Sequence, residues 1–197
     1  MAMNMNVQSN IDQVVRQFRG MPKRVVSKAV VTALNKMGKE VTTVAKRELA
    51  EKTGLKKGTV ARRIKLKKAK WSDPSAEMVI SGRHFNLIEY GARQLKAGVS
   101  HKAWGRRQSA KGAFIFTGAN SNRIVAKRVE GSKDSHGKDK IKGMYGASAP
   151  LEFFRGRVDE ILRAKIRTRF NKLLATALDF QFSKELKKDK VIGRFLK

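Results

Sequence analysis

Eight basic residues and no acid fall within the run KKGTVARRIKLKKAK, Lys56 to Lys70. Such a surface attracts phosphate backbones without sequence preference. It suits equally a solvated face that pairs with acidic residues of a neighbouring subunit. The candidate contacts to DNA or to an acidic partner are Lys56, Lys57, Arg62, Arg63, Lys65, Lys67, Lys68 and Lys70. A second group, Lys102, Arg106, Arg107 and Lys111, surrounds Trp104. A tryptophan beside arginines can stack on bases. It can also be a rim aromatic that anchors a loop.

Other chemistries find little support. His84, His101 and His136 have no second histidine or carboxylate at metal-ligand spacing, so solvated or hydrogen-bonding histidine is the plain reading. Glu130, Asp134 and Asp139 sit among lysines in a polar stretch and read as charge compensation rather than as nuclease carboxylates. Gly54, Gly58, Gly112 and Gly118 form no phosphate-cradling fingerprint. With no cysteine, the chain has no disulfide, no Cys-ligated zinc and no Cys nucleophile. No catalytic residues, no cofactor and no metal are expected, and the protein is not expected to be an enzyme.

The charge is extreme for 197 residues. Lys plus Arg number 45 against 16 Asp plus Glu, a formal net charge of +29 and a pI near 11.0. Solubility needs far less, and a compact monomer repels itself at this charge. A polyanion, or an assembly with acidic members, resolves the imbalance. The excess is present everywhere but densest in residues 53–70, where the net charge is +8. Basic residues are interleaved with apolar ones, so the charge belongs to faces of folded elements and not to a low-complexity tail. Apolar runs are too short for a membrane span. The N-terminal MAMNMNVQSN has neither a basic region nor an apolar core, so no secretory signal is expected.

The elements that must carry these groups follow from periodicity. Ile11, Val14, Val15 and Phe18 mark a first helical stripe. Val26, Ala29, Val30, Ala33, Leu34, Met37, Val41, Val44, Ala45 and Leu49 keep steps of three and four through a long helix from about Pro22 to Glu51. Gly54 is suited to a left-handed cap at its end. A short helix is expected over 56–63, then an antiparallel hairpin of strands 64–70 and 76–82. The stretch 83–98 is ambiguous. Strands are expected over 111–117, with Phe114 and Phe116 on one face, and over 123–129, joined by the turn 119–122. Residues 131–146 read as a polar mobile loop. A proline-led helix is expected from Pro150 to about Phe182 or further, striped by Phe154, Val158, Ile161, Leu162, Ile166, Phe170, Leu173, Leu174, Ala177 and Leu178. A basic tail, 184–197, closes the chain.

The expected fold is α+β. Long N-terminal and C-terminal helices flank a small antiparallel β-sheet, in one domain over 1–197 with its core at 22–182. A helix of roughly 30 residues spans about 45 Å, longer than a compact domain of this size needs. Side-by-side packing of subunits is therefore expected through Val30, Leu34, Met37, Val41, Val158, Leu162, Ile166 and Phe170.

In order and composition these parts resemble the minor tail protein Z family of long-tailed phages. The resemblance is carried by AVVTALNKMGKEVTTVAKRELAEKTGL, then KKGTVARRIKLKKA, then LIEYGARQLKAGVSHKAWG followed by GAFIF, and finally APLEFFRGRVDEILRAKIRTRF. It covers roughly residues 22–180. What it implies is a structural virion protein that completes the head-proximal end of the tail. It implies assembly in the host cytoplasm and partners in the tail terminator, the tail tube and the head–tail connector. Genomic DNA would pass non-specifically through the channel. A homo-hexameric ring is expected, because tail tubes of this type are built from sixfold rings. No membrane is involved. The alternative that +29 also allows is a non-specific nucleic-acid-binding protein of ribosomal or nucleoid type. Against it stand the long apolar stripes and the lack of a known binding module. A basic enzyme acting on nucleic acid ranks third.

Overall fold

The computed structural model describes residues 3–8, 22–118 and 120–195, so the expected stripe Ile11–Phe18 lies outside the described residues. Helix α1 spans Lys23–Thr53. Its buried positions Val26, Ala29, Val30, Ala33, Leu34, Met37, Val41, Ala45 and Leu49 belong to the stripe read from the sequence; Val44 of that stripe is only half-buried, and Val25 is buried beside it. The amides of Val25 and Val26 donate to the Pro22 carbonyl and start the helix. Gly54 ends it at φ +71, the left-handed conformation that glycine adopts without a Cβ penalty. A Cβ there would also stand 2.4 Å from the Gly105 amide nitrogen, so close backbone approach demands glycine as well.

Two compact units divide the described chain. The helical unit takes residues 4–8, 22–45, 64–79 and 159–195. In it, β3 (Ser75–Ile80) lies between β1 (Met3–Gln8) and β2 (Ile64–Lys67) in a three-stranded sheet. Helix α4 runs over Val158–Phe195, nearly all of it in this unit. Small residues let the elements approach closely: Ala29, Ala33, Ala69, Ala76 and Ala177 form one buried cluster with Val26, Val30, Leu34 and Leu178. Phe170, Leu173 and Leu174 pack against it. Asn35 spans the gap from helix to hairpin, donating to the Ala69 carbonyl at 3.0 Å and accepting from its amide at 2.8 Å. Gly38, a break in an otherwise good helix sequence, is explained here. A Cβ at 38 would meet Leu66 Cδ1 at 2.9 Å.

The β-rich unit takes residues 46–63 and 80–158. After α1 comes α2 (Lys57–Ala61). Three small sheets follow: β4 (His84–Asn86) with β11 (Tyr145–Ser148), β5 (Arg93–Leu95) with β6 (Gly98–His101) and β7 (Gln108–Lys111), and β8 (Ala113–Thr117) with β9 (Arg123–Lys133) and β10 (Asp139–Gly143). The ambiguous stretch 83–98 resolves as β4, a 3-10 turn over Leu87–Tyr90, and β5. The β8–β9 pairing, with Phe116 opposite Ile124 and Thr117 opposite Arg123, places the turn where the sequence put it. Helix α3 (Ala149–Arg155) ends this unit.

Three expectations are corrected. Residues 131–146 are mostly hairpin, not loop, since β9 continues to Lys133 and pairs antiparallel with β10. Their side chains are largely exposed, so the strands rest on backbone pairing and left no apolar alternation to read. The C-terminal helix is broken. Gly156 closes α3 through its amide to the Glu152 carbonyl at 2.8 Å, and Arg157 turns left-handed at φ 54 before α4 begins. The break resets the helical phase, which leaves Phe154 59% exposed. The expected basic tail continues α4, helical through Phe195.

Candidate functional site

The linear basic run is divided by the fold. Residues 56–63 belong to the β-rich unit and 64–70 to the helical unit. Three of its cations meet carboxylates of this same chain, which the run itself lacks. Arg62 Nη2 lies 3.1 Å and Arg63 Nη2 lies 3.6 Å from the two oxygens of Glu89. Lys67 Nζ lies 2.8 Å from Glu77 Oε2. Lys56, Lys57, Lys65, Lys68 and Lys70 are exposed and have no ion pair among the described residues. On β2, Ile64 is buried while Lys65 and Lys67 are exposed, so the alternation expected of a strand with one wet face holds.

The second cluster is exposed as well: Lys102, Arg106, Arg107 and Lys111 all face solvent. Arg107 donates to Ser100 Oγ at 2.7 Å. Trp104 adopts φ 53, ψ 32 and its indole N–H donates to Glu152 Oε1 at 3.3 Å. Glu152 is buried, so this hydrogen bond ties the indole edge down, the role of a loop anchor. Of the histidines, His84 and His136 are exposed. His101 is buried, and burial pushes its pKa below the usual imidazole range. Among the described residues, no group of three or more His, Cys, Asp or Glu sits together as metal ligands.

The residues expected to pack subunits together are mostly core. Val30, Leu34, Met37, Val41, Val158 and Leu162 are at most 2% exposed in the single chain. Their stripe closes on this chain's own apolar groups, and only Ile166 and Phe170 stay half-exposed. Other apolar side chains on α4 are the exposed ones: Ile161, Phe180, Phe182 and Leu186.

A cleft of about 940 Å3 opens in the β-rich unit. Arg62 and Arg63 close the end of α2, with the Arg63 amide donating to the Val60 carbonyl at 2.9 Å. Arg83 and His84 enter β4, Asn122 and Arg123 enter β9, and Tyr145 opens β11. Asn86 holds the walls in register. Its Oδ1 accepts from the Val125 amide at 2.8 Å and from the Ile88 amide at 3.0 Å, and its Nδ2 donates to the Val125 carbonyl at 3.3 Å. Tyr90 braces the floor of β11 by accepting from the Ala147 amide at 3.0 Å. Burial pushes its phenol up to about 12, so it stays neutral and keeps its proton. Linear reading saw only Arg62 and Arg63 of this cleft. Arg83, Arg123 and Tyr145 come from separate segments, and no spacing in the sequence joins them.

Guanidinium and ammonium groups held outward on an α+β frame make this a strongly basic protein. The model of the family described as prophage minor tail protein Z matches residues 9–189. The chain belongs to this family, and its role is a structural one in the phage tail. No curated protein sequence and no solved structure matches it. No helix among the described residues is long and apolar enough to cross a membrane.

Proposed function

We propose that this protein completes the head-proximal end of the tail, as a ring between the tail terminator and the head–tail connector. The ring borders the passage through which the genome moves. Six copies are expected, matching a sixfold tail tube. The observation that carries this reading is the excess of exposed cations in both units, where few carboxylates neutralise them. A virion component with that charge belongs beside DNA or beside acidic tail proteins. Weak, sequence-independent attraction suits a passage, because tight binding would slow the DNA.

The test is a phage carrying a nonsense mutation in this gene, with particles separated on density gradients. Tails of normal length that fail to join heads, or that join and fail to deliver DNA, support the reading. Tails of abnormal length would move the role to length control and overturn it. In wild-type particles, mass spectrometry should give a small fixed copy number.

A further inference from the structure

The arginine cleft of the β-rich unit is not explained by family membership. We infer that it binds single-stranded DNA, with backbone phosphates on Arg83 and Arg123 and one base stacked on Tyr145. This deepens the reading above and rests on it only for the source of the strand, an unpaired end of the genome.

Charge is the first argument. Four guanidinium groups line the cleft against a single carboxylate, Glu89. That carboxylate is already shared by Arg62 and Arg63. Arg83 and Arg123 are exposed and have no carboxylate partner among the described residues. Like charges gathered around one concavity repel until an anion enters, and the planar fork of arginine fits phosphate oxygens in pairs.

Preorganisation is the second. The Arg63 guanidinium is held from two sides, 5.3 Å from the centroid of the Phe85 ring and 3.6 Å from Glu89. Arg83 lies three residues before Asn86, and Arg123 two residues before Val125. The Asn86–Val125 hydrogen bonds therefore fix the distance between their two strands. A cleft whose walls are set before binding loses less entropy when it binds.

The aromatic decides between ligands. Tyr145 is 59% exposed at the cleft wall. Its ring rests on Gly143, where a Cβ would come within 2.9 Å of the hydroxyl and 3.0 Å of the ring. The backbone thus supports the ring while most of it stays open. An open ring in a basic groove is a stacking platform for unpaired bases. An acidic peptide would use the arginines and leave the ring idle. A duplex keeps its bases stacked inside and out of reach. The volume sits at the upper end of the range of about 300–1,000 Å3 for ligand sites, room for a nucleotide or two.

The experiment measures binding of the full-length protein to a fluorescent mixed-sequence DNA strand of about 10 nucleotides, within the usual site size. The variant R83Q/R123Q is compared with K138Q/K140Q, which removes the same charge from exposed positions of the β9–β10 hairpin. The cleft variant should lose about tenfold in affinity and about 1.4 in salt slope, two phosphates at roughly 0.7 each. The hairpin variant should lose less than about threefold. Y145A should weaken the single strand about fivefold or more and leave a duplex unchanged, while Y145F keeps the affinity. Thermal melting confirms that each variant is folded. Equal losses in the two charge variants overturn the proposal. So does a Y145A variant that binds as wild type, or poly-glutamate displacing the strand at equal charge, which would make the ligand an acidic protein. These measurements use purified protein. A failed cleft therefore leaves the tail-completion reading standing, and a failed particle experiment leaves the binding result standing.

Discussion

The two units manage the same excess charge in different ways. In the helical unit, Glu40 collects Arg169 at 3.1 Å and Lys165 at 3.6 Å, and Glu77 collects Lys67. There acids are spent on cations that flank a tight alanine-rich core. In the β-rich unit, Glu89 serves two arginines while Arg83 and Arg123 stay open beside it. The difference teaches where stability and binding are separated. Lys65, Lys68 and Lys70 of the helical unit are also exposed and without an ion pair among the described residues; what sets the β-rich unit apart is that its two unpartnered arginines share one cleft with Arg62 and Arg63.

That contrast can be broken by substitution. The largest effect is expected from Leu34→Asp in the helical core, where Leu34 is 1% exposed. An unpaired buried carboxylate should cost at least about 3 kcal/mol and unfold this unit, seen as lost cooperativity in chemical denaturation. A stable, cooperatively folded variant would mean the stripe faces a partner after all. Next is Gly54→Val. Its left-handed backbone costs about 1–2 kcal/mol for a residue with a Cβ, and the contact with Gly105 adds to that. A lowered thermal midpoint checks it.

Glu40→Gln should do less, within about 1 kcal/mol, because the pair is partly solvated. Its pH dependence is the sharper reading. The hydrogen bond from Arg169 holds the Glu40 carboxyl below its ordinary 4.5, so the folded state favours the ionised form. Its contribution is fully present above 4.5 and disappears as pH falls below that value. Wild type and variant should therefore differ at neutral pH and converge in acid. The smallest effect on stability is expected from R83Q/R123Q, within about 0.5 kcal/mol of wild type by denaturation. A large loss there would show that these arginines hold the fold, and the contrast between the units would fall.

What the sequence made legible follows the same division. Helix α1 was readable because one apolar stripe of steps three and four meets one continuous core. The β2–β3 hairpin was readable because Ile64, Ala76, Met78 and Ile80 alternate with wet positions. The β9–β10 hairpin was not, because strands with both faces exposed carry no hydrophobic period. The α3–α4 break was hidden because apolar spacing continued across Gly156, which gives no sign of a left-handed Arg157. Half of the cleft's arginines were visible in the basic run. Arg83 is brought beside the run where the Ser81 amide donates to the Arg63 carbonyl at 2.8 Å, and Arg123 is brought in through the bonds between Asn86 and Val125. A charge run also conceals its partners: Arg62, Arg63 and Lys67 looked uncompensated, yet Glu89 and Glu77 reach them in the fold. Neutralising Arg62, Arg63, Lys65 and Lys67 together would therefore disturb three internal ion pairs along with any external contact.

The central claim is that this protein sits at the end of the tail that joins the head. Immunogold electron microscopy of intact virions, with antibody raised against the exposed β9–β10 hairpin, tests it most directly. Label at the head–tail junction, one cluster per particle, is the result this account predicts. Label at the distal tip or spread along the tube would contradict it.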